Sequence, residues 1–501
     1  MKNYVERFNR DDEELYVNHI PNSAAYRWMA DHVPLIDIPD RELEAVYYFR
    51  WWTYRKHIKK TPTGFIISEF LPTVGWAGAY NSISCAAGHH LTEGRWLRDE
   101  GALDAYISYW YRESTNINAY THWIDSALWE LCELRGDYTA GIENLDRMVY
   151  WFREREGKHF VPDLGLFWGT CDRDGQEFAV SGDGFRLPQN CYMAANARAI
   201  ANFSRLACRA DWEEEFSARH RAIAGAIERR LWSGEDRFYL NIHCPLQAGG
   251  RPDLERGDPR FKCRELWGYT PWYFDLAPPG REDRFDLLAD PACFYGACGL
   301  STAERRHPGY GCFYTAGELN EWLKARGEQP VGPQGHACLW NGPSWPFASS
   351  VALSALARSR RPDDGLFFTL LKQYAAGHRL KPGAADSPYR IDEVQHPDTG
   401  DWIARSCRMR RSEGGGWDPG KGGTERGKDY NHSTFCDLLI SGLFGLRARG
   451  GKLTAQPLFP KDWDYARLYH VPAGGTLYRA EYDRNSGDGL TIREEKAENP
   501  V

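Results

Sequence analysis

No two of the thirteen cysteines stand in a C-x-x-C register, and the chain has no paired Cys/His zinc-finger pattern. The sequence therefore carries no signature of a structural zinc site or a dithiol redox centre. Cys85, Cys132, Cys208 and Cys436 fall on apolar helical faces, the pattern of reduced, buried thiols in a cytoplasmic protein. Basic charge is short as well. Lys and Arg number 62 against 69 Asp and Glu, a formal net charge of -7, so there is no electrostatic footprint for nucleic acid. Long apolar runs are missing: CDLLISGLFGL (436–446) falls far below the roughly 20 residues a membrane span needs. The opening MKNYVERFNRDDEELYVNH has no apolar core of the kind a signal peptide requires. These absences predict a cytoplasmic protein with neither nucleic-acid nor membrane partners, and they leave its oligomeric state open.

Aromatic residues, by contrast, are abundant: 14% of the chain, with 20 Trp and 27 Tyr. Such side chains fill cores first, because each buries a large area. Here many stand beside Gly, Asn, Arg and Asp instead of aliphatics, as in VGWAGAYN (74–81), EGRWLRD (93–99), LWNGPSWPF (339–347) and GYTPWYFD (268–275). An indole among small, hydrogen-bonding neighbours suits stacking on a sugar ring while those neighbours bond its hydroxyls.

Helical periodicity dominates up to about residue 450. DRELEAVYYFRWWTYRKHI (40–58) opens with Asp40 as a cap and Glu42 and Glu44 in the first turn. WIDSALWELCELRGD (123–137) stops near Gly136, and further stripes lie at 141–157, 190–210, 213–232, 346–360, 365–380 and 433–447. About a dozen helical stretches with loops of unequal length predict an all-α body, a toroid of paired helices with its chemistry on the long loops. After 450 the pattern alternates, with Gly-Gly and Asn-Ser-Gly-Asp-Gly turns. The expected division is a catalytic domain over 1–450 and a short β appendage over 451–501, packed on the helices.

Five ordered blocks carry a resemblance: NSISCAAGHHLTEGRWLRD (81–99), SGDGFRLPQNCYMAANARAIA (181–201), LWNGPSWPFASSVALSALA (339–357), IDEVQHPDTGDWIARS (391–406) and KDYNHSTFCDLLISGLFGLR (428–447). Together they resemble bacterial six-hairpin glycosidases, specifically the mannosylglycerate-hydrolase-like branch of glycoside hydrolase family 63. The resemblance covers most of residues 60–470. It implies an (α/α)6 barrel and inverting hydrolysis by two carboxylates. The expected substrate is a small carbohydrate, on the strength of the missing export signal, and no metal or organic cofactor is expected. Glu393, in DEVQHPDTG, matches the position of the family's general base. Asp392 competes for that role, but adjacent residues on an extended loop point opposite ways. The general acid falls in RDGQEFAVSG (173–182), where Glu177 stands at a position that the family fills with Asp. Asp174 and Asp172 are the alternatives.

The substrate-binding set predicted beside them is Trp76, Tyr80, Arg95, Trp96, Asp125, Arg186, Gln189, Trp340, Asn341, Trp345 and His432. Each has a plainer reading. Arg186 can be a buried cation paired with a core carboxylate, the tryptophans can be helix-start packing, and His432 can be a hydrogen-bonded core histidine. His89, His90 and His432 invite a metal reading, but hydrogen-bonding core or pocket histidines are the plainer one, so no metal is expected. An inverting, exo-acting glycoside hydrolase is the leading reading. A sugar epimerase on the same kind of toroid and an inactive carbohydrate-binding protein are its rivals.

Overall fold

In the computed structural model, which describes residues 1–98, 101–246, 250, 252, 258–332, 338–359, 361–362, 364–384, 386–413, 422–487 and 489–495, helices dominate. Helix Arg41–His57 begins as its sequence requires: the Asp40 carboxylate accepts from the Leu43 N–H at 3.1 Å. Glu42 and Glu44 lie in its first turn and Arg55, Lys56 and His57 in its last, the arrangement the helix dipole favours. Helix Ile124–Arg135 stops on Gly136, which takes the left-handed conformation at φ +69°.

Two kinds of helix are present. Ser84–Gly94 is buried at every residue, and Arg41–His57 and Pro346–Arg358 are buried through most of their length. Ala210–Leu231 and Leu145–His159 bury only a stripe, Phe216, Ile223, Ala226, Ile227 and Leu231 in the first of them. Enclosed helices thus pack inside one-faced helices. Close packing within the enclosed layer depends on Gly88, where a Cβ would sit 2.2 Å from the Trp123 ring. Enclosure also forces polar side chains to find internal partners. Lys56 pairs with Asp12 and Asp429, and Arg50 donates to the Ser433 hydroxyl and carbonyl.

The structure departs from an all-α body in ways that matter for the site. A four-stranded antiparallel sheet runs in the order Phe160–Val161, Leu166–Gly169, Gly184–Phe185, Ile242–His243. Loop 170–183, which contains Glu177, joins its two middle strands. The stretch 433–447 is no regular α-helix: Leu438–Leu443 is a π-helix, and the chain turns at Gly445 into strand Leu446–Arg449. A Cβ at Gly445 would meet the Gln456 carbonyl oxygen at 1.8 Å, so only glycine makes that corner.

The C-terminal strands Tyr465–Ala473, Thr476–Asp483 and Leu490–Glu494 form an antiparallel sheet whose first hairpin turns on Gly474-Gly475. Its outer strand is Leu35–Asp37, with Ile36 opposite Leu468. One hydrophobic core runs from Val5 to Ala480, so this sheet and the helical body share a single interior. Cys85, Cys132 and Cys436 are buried, but Cys208 is exposed because helix Leu187–Leu206 has already ended. Among the described residues no helix is long and apolar enough to cross a membrane.

Candidate active site

Glu177 and Glu393, 216 positions apart in sequence, line one cavity of about 260 Å³. Around them stand Trp76, Tyr120, Trp345 and Tyr430, four further acidic or thiol groups (Glu69, Asp172, Cys85, Cys338), His432, and the guanidinium groups of Arg411 and Arg426. Aromatic faces beside convergent polar groups make a surface suited to a sugar ring.

Loop 170–183 presents Glu177 on a tightly turned backbone. Gly175 takes φ +68° and Phe178, next to the carboxylate, takes φ +61°, an uncommon conformation for a bulky residue. The Glu177 carbonyl accepts from the Trp340 N–H at 3.1 Å, tying the loop to the Trp340–Trp345 segment. Burial pushes the Glu177 carboxyl up to about 8, with smaller contributions from the charges of Asp172, Glu69 and Glu393. A carboxyl held protonated at neutral pH is what a general acid needs. Asp172 also lines the cavity. Asp174 does not: it is buried against Arg186 Nε at 2.6 Å and Thr121 Oγ1 at 2.8 Å.

The other carboxylate is held by cations. Arg408, on helix Ile403–Glu413, donates to both Glu393 and Asp392, and Arg426 Nη2 lies 3.1 Å from each oxygen of Glu393. Cys338 Sγ lies 3.3 Å from Glu393 Oε1. Asp392, fully buried, accepts from Arg390 at 2.6 Å and from the Glu393 N–H at 2.8 Å, and the Arg408 and Arg390 guanidinium groups hold its carboxyl well below the usual range. The two neighbours therefore diverge only in part: both reach Arg408, and only Glu393 reaches the cavity. Trp402 Nε1 donates to the Arg379 carbonyl at 2.8 Å and anchors the loop's far end. Of the charges in segment 389–406, Arg390 and Asp392 are buried fasteners beside Glu393, whereas Asp398 pairs with Arg305 at the surface.

Glu69 is the residue most clearly missed from the sequence. Its Oε1 accepts from Tyr430 Oη at 2.7 Å and faces His432 Nδ1 at 2.8 Å. Its neighbours in SEFLP carry no recognisable motif, and its partners lie more than 360 positions away. Glu69, Cys85 and His432 also place one potential metal-ligand atom each within 4.8 Å of one another. Spacing along one helix does not disclose a set drawn from three segments.

Of the predicted substrate-binding residues, Trp76, Trp345 and His432 line the cavity. Trp76 is 40% exposed and covers Arg426, whose guanidinium carbon lies 4.9 Å from the ring centroid. Tyr80 is exposed and packs edge-on against Tyr109, away from the lining. Trp340 stands behind Trp345, stacked at 4.2 Å, and Asn341 is buried near Gly309 and Gly311. Arg95 and Trp96 lie elsewhere, in a buried network with Asp437 and Glu130. Asp125 accepts from Tyr111 Oη at 2.5 Å and, with Gln189, borders a separate small void. Arg186 pairs with Asp174, Gln176 and Ser181 at zero exposure. The plainer reading, a core ion pair, describes its position. Arg186→Ala is expected to cost about 3–5 kcal/mol by leaving Asp174 charged and unpaired, measured by guanidinium denaturation. A loss under about 1 kcal/mol would contradict that role.

Buried aromatics, paired carboxyl groups and a raised acid define a class, the glycoside hydrolase domains. Residues 79–433 match the family described as the mannosylglycerate hydrolase MGH1-like glycoside hydrolase domain, and the chain belongs to that family. Among solved structures it is similar to a chain titled "Sialidase", with 30% identity and a TM-score of 0.83 over 98% of this chain. This chain spans 42% of that one. It also shares its fold with a GH78 family rhamnosidase of Bacillus sp. GL1, at 14% identity and a TM-score of 0.55, over 92% of this chain and 41% of the rhamnosidase.

Proposed function

We propose that this chain hydrolyses an O-glycosidic bond at the end of a small glycoside or oligosaccharide, with inversion at the anomeric carbon. Glu177 is the general acid and Glu393 the general base. The enclosed and one-faced helices are read as the inner and outer layers of a six-hairpin (α/α)6 toroid. The observation that carries the proposal is the pairing in one cavity of a carboxyl raised to about 8 with a second, cation-oriented carboxylate. Inversion needs one group to protonate the leaving oxygen and another to activate water on the opposite face. Of the donors around Glu393 the Cys338 thiol is the weakest, so the lone pair it occupies is the one that water can claim.

A cavity of about 260 Å³ is at the small end for ligand sites, which fits one terminal unit better than a chain passing through. Release of monosaccharide from a panel of aryl glycosides, followed by natural disaccharides, tests the activity. Internal cleavage of a polymer with no action on disaccharides would contradict the exo-acting part. The rate should fall as pH rises through about 8, because the acid form of Glu177 is lost there. A profile flat to pH 10 would remove Glu177 from the role.

A further inference from the structure

We propose that Glu69, Cys85 and His432 together form a site for one thiophilic divalent cation of the zinc class, on the wall of the cavity. Carboxylate, thiolate and imidazole are the three ligand types zinc takes, and three protein ligands with one open position is the arrangement of a solvent-accessible zinc site. The three ligand atoms lie within 4.8 Å of one another, and all three side chains are buried. They come from three segments that the fold brings together: the stretch after strand Gly64–Ile67, the first turn of helix Ser84–Gly94, and the loop before the π-helix Leu438–Leu443.

Three further observations point to a cation. First, His432 Nε2 is buried with no hydrogen-bond partner while Nδ1 faces Glu69, so the ring has donor capacity that the protein leaves unused. Stacking on Phe347 at 4.0 Å fixes its plane. Second, with Glu177 protonated, the cavity lining holds three carboxylates (Glu69, Asp172, Glu393) against two guanidinium groups, a surplus of negative charge that attracts a cation. Third, Cys85, the second residue of its helix, lines the cavity, where an entering ion can reach its sulfur.

Binding replaces the Cys85 S–H bond with a sulfur–metal bond and releases the proton to solvent. The imidazole binds through an unprotonated nitrogen and keeps its proton on the other. The open position faces the cavity, where water or a sugar hydroxyl completes the shell. Acid–base hydrolysis by Glu177 and Glu393 does not require this ion, so the site stands independently of the proposed reaction.

Cobalt(II) titration of the purified, metal-stripped protein tests the assignment. One equivalent should give a thiolate-to-cobalt charge-transfer band in the near ultraviolet, and zinc should abolish it. Cys85→Ser, nearly isosteric, should lose the band and at least about a hundredfold in affinity. Glu69→Gln, which keeps shape and removes charge, should retain the band and weaken binding about tenfold or more. No band in the wild-type protein, or an undiminished band in Cys85→Ser, would overturn the proposal. The second result would place the ion on another of the thirteen cysteines.

Discussion

Glu177→Gln should slow hydrolysis of alkyl-type glycosides by about a thousandfold and leave a glycosyl fluoride or dinitrophenyl glycoside nearly unaffected. The asymmetry follows from the acid's task. It neutralises an alkoxide as the bond breaks, and fluoride or dinitrophenolate departs without a proton. Gln fills the same space, so loop 170–183 and its tie to Trp340 should survive. The alkaline limb near pH 8 should vanish with the carboxyl that produces it. Asp174→Asn should show no such dependence on leaving group, since Asp174 faces Arg186 and Thr121, away from the cavity. If both classes of substrate lose rate equally in Glu177→Gln, the residue shapes the loop and the acid lies elsewhere. Asp172 is then the candidate, because it shares the lining.

Glu393→Gln is expected to lower the rate at least about a thousandfold on every substrate, good leaving group or poor, because water activation is needed in each case. The same change sets an amide against Arg408 and Arg426, so lost rate could also reflect a disturbed clamp. Glu393→Ala with azide separates the two effects. Azide attacks without giving up a proton and should restore part of the rate, yielding the inverted glycosyl azide. A mutant that no anion rescues, or a loss of only a few-fold, would move the base to another carboxylate. Glu69 would be the first to test, since its Oε1 is held by Tyr430 and His432 while the side chain borders the cavity.

What the sequence disclosed and what it hid have different physical origins. Local order was legible: the Asp40 cap, the Gly136 stop and the one-faced stripe of Ala210–Leu231 are all written within a few turns of chain. The Pro-Asp-Thr-Gly loop gave Glu393 through its match to a family pattern. Polar residues of the enclosed helices were misleading. Arg95, Asp125 and Arg186 meet buried partners inside the body, and nothing in their local sequence separates that from contact with a ligand. The sheet flanking loop 170–183 was hidden because three of its four strands, Phe160–Val161, Gly184–Phe185 and Ile242–His243, have only two residues each and show no alternation. Glu69 and Arg408 were hidden because their importance lies in what they meet across the fold.

The stereochemistry of the first-formed product tests the central claim most directly. Proton NMR of a reacting aryl glycoside, recorded before mutarotation, reads the configuration of the released sugar. One acid and one base on opposite faces of the bond predict the anomer inverted relative to the substrate. A retained anomer would require a nucleophile and two carboxyl groups only about 5–5.5 Å apart, and would contradict the roles given to Glu177 and Glu393.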